Sequence, residues 1–326
     1  MGNQSSGQFL SGRSGGRHTD MAKTAYIFPG QGSQYVGMGK NLFEQSSVAR
    51  QLYGRADELM GYSLSAISFE GPEERLKQTN VTQPAIFLHS VVLSRLLEHP
   101  DAAMAAGHSL GEYSALVYAG AMSFEDGLNL VKLRGELMQQ AGERDRGTMA
   151  AVVGLQPGIL TAICREAEAE GVVQCANFNS PGQIVISGSV AGVKKAMELA
   201  KARGAKLVKE LVVSGAFHSP LMEGAREGLR TALETSAIRD AKVPVYANVS
   251  ARPVQQAGEI RRLLEEQLTS PVRWEESVVR MIGDGAAAFV EIGPGKVLQN
   301  LVKRIDGSVN VSGIETIADA RQTVPA

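Results

Sequence analysis

The sequence predicts an α/β protein with a parallel sheet, helices on its faces, and a smaller inserted βαββαβ unit. Three observations carry this. Strand-like and helix-like segments alternate from residue 23 to about residue 140. Residues 148–213 then switch to the order strand, helix, strand, strand, helix, strand. Beyond them, VPVYANVS and AAFVEIGPG again read as strands that return to the first sheet.

The elements follow in order. Lys23–Phe28 (KTAYIF) is a short β-branched and aromatic run stopped by Pro29-Gly30, hence a strand entering a loop. Residues 41–61 and 82–98 carry helical periodicity. Ala102–Gly107 reads as a buried strand and 110–119 as the helix that follows it. Ser123-Phe-Glu-Asp126 is a capping-box pattern and opens a helix to about Gln140. In the next segment MAAVVGL is a strand, 158–170 a helix, and VVQCANF and QIVISG two strands around Asn179-Ser180-Pro181-Gly182. A helix over 190–203 and the strand KLVKELVV complete a split βαβ, or ferredoxin-like, unit of about 65 residues that would wall one side of a cleft. The expected organisation is a leader or extension over 1–22, a catalytic domain from 23–146 and 214–312, and a subdomain over 147–213.

Composition narrows the function classes. A chain of 326 residues with 44% hydrophobic and 21% charged residues is ordinary for a globular protein with a sizeable core. A net charge of −1 offers no broad basic surface, so nucleic acid is not an expected partner. Two cysteines, Cys164 and Cys175, fit neither a zinc spacing nor a disulfide framework, which suits a reducing cytoplasm and no metal site. No run of about 18 apolar residues occurs, so no membrane span is expected. The Gly- and Ser-rich start, MGNQSSGQFLSGRSGGRHTD, lacks the apolar region of a secretory signal. It formally matches an acylation pattern at Gly2 and Ser6 but reads better as a disordered extension, with Met21 as a start.

Chemistry concentrates in AAGHSLGEYSAL, residues 105–116. Gly107-His108-Ser109-Leu110-Gly111 is a G-x-S-x-G between a strand and a helix, the setting of a serine nucleophile on a sharp turn. The alternative is a serine that merely caps a helix. In the first case the backbone N–H of Leu110 is the obvious donor to a developing oxyanion. A serine nucleophile needs a base. Among five histidines, His218 stands out in GAFHSPLM, after a strand and before a helix start at Ser219-Pro220. A helix N-terminus disfavours imidazolium and keeps such a ring able to accept a proton. A surface histidine beside a cap is the competing reading. Arg134 falls on the apolar face of its helix with Gly127, Leu130, Val131, Met138 and Ala141, opposite Asn129, Lys132 and Glu136. A buried guanidinium requires a partner. The residues alone leave two options: an ion pair, for instance with Glu112, or recognition of a substrate carboxylate by the planar fork. The glycine loop FPGQGSQ matches neither phosphate-loop pattern, and Gly293-Pro-Gly-Lys296 is a fragment of one at best.

Taken together, FPGQGSQ (28–34), TQPAIF (82–87), GHSLGEYSAL (107–116), VKLRGELM (131–138), NFNSPGQIVISG (177–188), GAFHSPLM (215–222), QLTSPVRW (267–274) and EIGPGKVL (291–298) resemble the malonyl-CoA:acyl carrier protein transacylases of fatty acid and polyketide synthesis. The resemblance spans about residues 23 to 305. It implies an α/β-hydrolase-like large domain with the ferredoxin-like insert. It also implies Ser109 as the acyl-accepting nucleophile, His218 as its base, and a backbone carbonyl of Gln267 orienting that base. The N–H groups of Gln31 and Leu110 would form the oxyanion hole, and Arg134 would hold the malonyl carboxylate. His108, Asn177 and Asn179 would line the site. Ala216-Phe217 resembles the form that goes with malonyl rather than methylmalonyl, Phe217 filling the space of an α-methyl group. The implied substrate is malonyl-CoA, a coenzyme A thioester. The partner is an acyl carrier protein that supplies the phosphopantetheine arm, with no tightly bound cofactor and a monomeric enzyme. A trans-acting acyltransferase of a polyketide synthase and a serine thioesterase are the alternatives.

Overall fold

A computed structural model of the chain describes residues 1–2, 23–98 and 101–321. Most of the leader expected over 1–22, together with His18 and His99, lies outside the described residues. Strands β1 (Lys23–Phe28), β2 (Met104–Gly107), β7 (Val245–Tyr246), β8 (Pro253–Val254), β9 (Ala286–Ile292) and β10 (Asn310–Ile314) form one sheet in the order β10-β9-β1-β2-β7-β8. All neighbours in it are parallel except the β7–β8 pair. Strands β3 (Gly147–Val153), β4 (Val173–Ser180), β5 (Gln183–Ser189) and β6 (Leu207–Glu210) form a second, antiparallel sheet in the order β4-β5-β3-β6. Helices Pro157–Ala167 and Val190–Ala202 fall between its strands, in the order expected for 148–213.

Strand alternation divides the core. On β1, Tyr26 and Phe28 join the large cluster on one side of the sheet, while Ala25 and Ile27 face the other side with Met104, Ala106 and Phe289. On β3, Ala150 and Val152 pack with Leu160, Ile163, Val193 and the two cysteines in a core of the insert's own. The opposite face, with Met149, Ala176 and Val185, joins the main cluster. A short parallel bridge, Asn177 with Val272, ties the two sheets, with Phe178 N–H donating to Val272 O at 2.9 Å.

The expected helix 41–61 is two helices, Lys40–Gln45 and Ser47–Met60. Ser46 takes an extended conformation between them and its hydroxyl accepts the Ala49 N–H, so a local cap overrides the periodicity. The helix expected over 82–98 starts at Thr79 and carries Pro84 inside it. The helix opened by Ser123 runs to Arg144, and Ser123 Oγ accepts the Asp126 N–H at 3.0 Å. VPVYANVS contributes only Val245–Tyr246 to the sheet, because the chain turns at residues 247–252 to return as β8. Amphipathic helices follow the insert at Glu223–Thr235, Ala257–Glu266, Trp274–Gly283 and Val297–Ile305. Each buries apolar residues at three- and four-residue spacing, as in Ala225, Leu229 and Leu233. The large sheet extends through Ile314, past the expected limit at 312, and the buried Ile317 and Ala320 of the last described helix pack beside it. No described helix is long and apolar enough to cross a membrane.

The register sets the site. Phe28 lies opposite Gly107, so β1 and β2 end level, and His108 N–H donates to Phe28 O at 3.0 Å. The loop after β1 and the turn after β2 therefore leave the sheet side by side. A Cβ on Gly111 would stand 2.0 Å from Phe28 O, and one on Gly107 would stand 1.9 Å from the Gly111 carbonyl carbon. Only hydrogen fits at either position. Gly111→Ala is expected to lower stability by about 1–3 kcal/mol through overpacking against backbone, read as a shift of the urea unfolding midpoint.

Candidate active site

Ser109 sits between β2 and helix Gly111–Tyr118 with φ 51, in the left-handed region. Such backbone costs a non-glycine residue on the order of 1–3 kcal/mol and persists only where neighbours hold it. Asn248, just after β7, is the principal holder. Its Oδ1 accepts the Ser109 N–H at 2.6 Å and its Nδ2 donates to Gly107 O at 2.6 Å. Gln267 Nε2 donates to Ser109 O at 3.1 Å.

His218 is buried and also left-handed, with φ 57. Its Nε2 lies 2.8 Å from Ser109 Oγ, and its Nδ1 lies 2.9 Å from Gln267 O. A carbonyl can only accept, so Nδ1 carries the proton and Nε2 presents a lone pair to the serine hydroxyl. Burial first, and then the Arg134 cation, push the imidazole down to about 3 against the favourable pull of the Gln267 carbonyl. The ring is therefore neutral at ordinary pH. Gln174 Nε2 clamps the main chain here by donating to His218 O at 2.7 Å and Thr269 O at 3.1 Å.

Arg134 is fully buried and has no direct ion pair among the described residues. Nη1 donates to Gln83 Oε1 at 2.6 Å, and Nη2 donates to Ser109 Oγ and Gln267 Oε1, each at 3.0 Å. The guanidinium carbon lies 5.7 Å from the centre of the Tyr113 ring. Nε has no hydrogen-bond partner among the described residues. Glu112, weighed above as an ion-pair partner, is reached through an amide instead: Gln267 Nε2 donates to Glu112 Oε2 at 2.8 Å. Burial pushes the Glu112 carboxyl up to about 7, opposed by hydrogen bonds from Asn248 N–H and Gln267 and by the Arg134 charge.

The remaining sequence candidates divide. The backbone N–H groups of Gln31 and Leu110 have no acceptor among the described residues, while the Gln31 side chain donates weakly to Thr79 Oγ1 at 3.4 Å. His108 turns away from Ser109: Nε2 meets Asn179 Oδ1 at 2.8 Å and the ring packs beside Trp274. Asn177 is buried in the bridge between sheets, with no side-chain hydrogen bond among the described residues. Phe217 is buried in the main core. At the Gly293-Pro-Gly-Lys296 loop, Glu291 fills the following helix N-terminus, accepting the Leu298 and Gln299 N–H groups at 3.0 and 3.1 Å, so no anion site is open there. The sequence reading gave no role to Gln83, Asn248 or Gln174. Their polar side chains within buried, strand-like or apolar helical runs were the available signal.

A left-handed serine after a parallel strand, with a neutral histidine on its hydroxyl and a buried arginine donating to it, has the geometry of a serine acyl-transfer site. The chain belongs to the acyl transferase domain family, whose model matches residues 25–320. It is similar to the malonyl CoA-acyl carrier protein transacylase of Bacillus subtilis, at 48% identity over 93% of this chain and 98% of that protein. The solved malonyl CoA-acyl carrier protein transacylase of Coxiella burnetii superposes with a TM-score of 0.89 at 40% identity, covering 92% of this chain and 96% of the other. A malonyl-transacylase solved in complex with a type II polyketide synthase acyl-carrier protein gives a TM-score of 0.88 at 39% identity, covering 92% and 98%.

Replacing Arg134 by Met is expected to raise the His218 ionisation, since the nearby cation disfavours imidazolium; NMR titration of the ring signals checks this. The rise is partial because burial remains the larger cause. In the unaltered protein, the unfolded chain protonates this histidine near its ordinary 6.5 while the folded chain resists. Its contribution to stability is therefore present above about pH 6.5 and declines as pH falls from there toward about 3.

Proposed function

We propose that this protein transfers the malonyl group of malonyl-CoA to the phosphopantetheine thiol of an acyl carrier protein, through a malonyl ester on Ser109. The observation that carries this reading is Arg134. It is a buried cation with no acidic partner in contact, one nitrogen 3.0 Å from Ser109 Oγ, and Nε without an acceptor among the described residues. A buried donor without a partner costs about 1–3 kcal/mol. An acyl group bearing a second carboxylate would remove that cost. An acetyl group would not, and a plain esterase has no use for the arginine.

Ser109 Oγ attacks the thioester carbonyl as His218 Nε2 takes its proton. The Gln267 carbonyl holds the ring by its Nδ1–H and stabilises the imidazolium that forms. The N–H groups of Gln31 and Leu110 receive the oxyanion. The carbon–sulfur bond breaks, and coenzyme A leaves with the proton from His218. The carrier thiol then gives its proton to His218 and attacks the malonyl-serine ester, and Ser109 departs with that proton. Nucleophile, base, oxyanion donors and carboxylate ligand all come from this chain, so the reading calls on no metal and no tightly bound cofactor.

In the same reading the large domain is α/β-hydrolase-like and residues 147–213 are a ferredoxin-like insert. The order β4-β5-β3-β6 with two helices supports the latter. In that reading the contact of His108 with Asn179, and Asn177 in the bridge between the sheets, shape the wall of the cleft from behind, and Phe217 is the residue expected to exclude an α-methyl substituent. The names of the relatives support malonyl transfer between coenzyme A and an acyl carrier protein, and supply of extender units for fatty acid synthesis is the pathway proposed. Two buried free cysteines suit a cytoplasmic setting. After incubation with malonyl-CoA, intact-mass measurement is expected to find malonyl on the protein and none on Ser109→Ala. Arg134→Ala should lose malonyl loading relative to acetyl by ten- to a hundredfold, the loss of a charged hydrogen-bond pair. Unchanged selectivity would refute the assigned role.

A further inference from the structure

We propose that Glu112 is a positioning residue that sets the preference for malonyl over acetyl groups by fixing the orientation of the Gln267 side-chain amide. This rests on the function proposed above and deepens it.

The Gln267 amide has two unlike ends with unlike neighbours. Its Oε1 accepts from Arg134 Nη2 at 3.0 Å. Its Nε2 donates to Glu112 Oε2 at 2.8 Å and to Ser109 O at 3.1 Å. Arginine can only donate, and the serine carbonyl can only accept. Glu112 Oε2 is an acceptor as well, since it also takes the Asn248 N–H at 3.0 Å. Turning the amide over would set NH2 against the guanidinium and an oxygen against two other oxygens. Every neighbour thus enforces one orientation, and Glu112 supplies the shorter of the two contacts that hold the NH2 end.

Glu112 touches neither Ser109 Oγ nor His218. It is buried in the first turn of helix Gly111–Tyr118 and acts through its neighbours. The two halves of Gln267 serve different tasks. Its main-chain carbonyl orients His218, which every acyl group needs, whereas its side-chain oxygen helps hold Arg134, which only an acyl group with a second carboxylate needs. Removing the acceptor at position 112 loosens the side chain and leaves the carbonyl in a backbone secured by Gln267 N–H on Leu263 O at 3.0 Å. Selectivity should suffer more than the common chemistry. A purely structural role would lower both loadings together.

The experiment compares kcat/KM for loading of malonyl and of acetyl from the two coenzyme A thioesters. The variants are Glu112→Met, Glu112→Gln, Gln267→Met and the double variant. Glu112→Met is expected to lower the malonyl-to-acetyl ratio about tenfold, the loss of one charge-assisted hydrogen bond. Glu112→Gln keeps an acceptor oxygen and should restore most of the ratio. With Gln267→Met, which removes the amide but keeps the carbonyl, Glu112→Met should add nothing. An unmoved ratio in Gln267→Met or Glu112→Met overturns the inference, as does a further fall in the double variant. If Glu112→Met does not fold, Glu112→Ala takes its place in the same comparison, and an unmoved ratio there overturns the inference. A wild-type protein that loads no malonyl at all overturns the parent reading instead, which separates the two failures.

Discussion

The guanidinium of Arg134 lies wholly out of water, and the arrangement around it follows from that. Removing such a charge from solvent costs several kcal/mol even after the surroundings relax. Among the described residues no carboxylate sits against it. Instead, Gln83 and Gln267 offer amide oxygens, Ser109 offers its hydroxyl, and the Tyr113 ring lies near the guanidinium. Neutral oxygens hold the cation in place without neutralising it. Residues from separate parts of the chain, Gln83, Ser109 and Gln267, must converge to keep it so.

The same charge explains why a carbonyl rather than a carboxylate orients His218. A carboxylate at Nδ1 would lie close to a buried cation and would compete for it. The Glu112 carboxyl is separated from Arg134 by the Gln267 amide. With the cation near and water excluded, the imidazole is held neutral, which is the state a general base needs. Ser109 and His218 both adopt left-handed backbone, and each is held by an amide side chain from elsewhere, Asn248 for one and Gln174 for the other. The strain at both residues is thus supported by hydrogen bonds to main-chain atoms, while their side chains bond to each other.

Much of this was legible in the residues. The strand before Pro29, the G-x-S-x-G between strand and helix, and the charge on the apolar face of helix Phe124–Arg144 are all local patterns, and local patterns report local structure. Burial of Arg134 follows from the 3.6-residue period alone. The break at Ser46 and the truncation of VPVYANVS were not legible, because a cap and a turn back into β8 won against the apparent periodicity. The helices from 223 to 305 carry clear three- and four-residue spacing, a local pattern of the same kind.

The sequence by itself determined the α/β class and the order of elements in the insert, and it singled out Ser109, His218 and Arg134 as candidate groups, with the family resemblance supplying the roles expected of them. These depend on periods, glycine positions and residue types within a few turns of one another. Tertiary structure alone decided what each of them touches. Gln83, Asn248, Gln174 and the side chain of Gln267 come from elements far apart in the chain, and only the level ends of β1 and β2, with the insert bridged at Val272, bring them within hydrogen-bond reach. The choice between an ion pair and a free cation for Arg134 was settled in the same way: the Gln267 amide stands between it and Glu112, a separation of chain positions that no local pattern encodes.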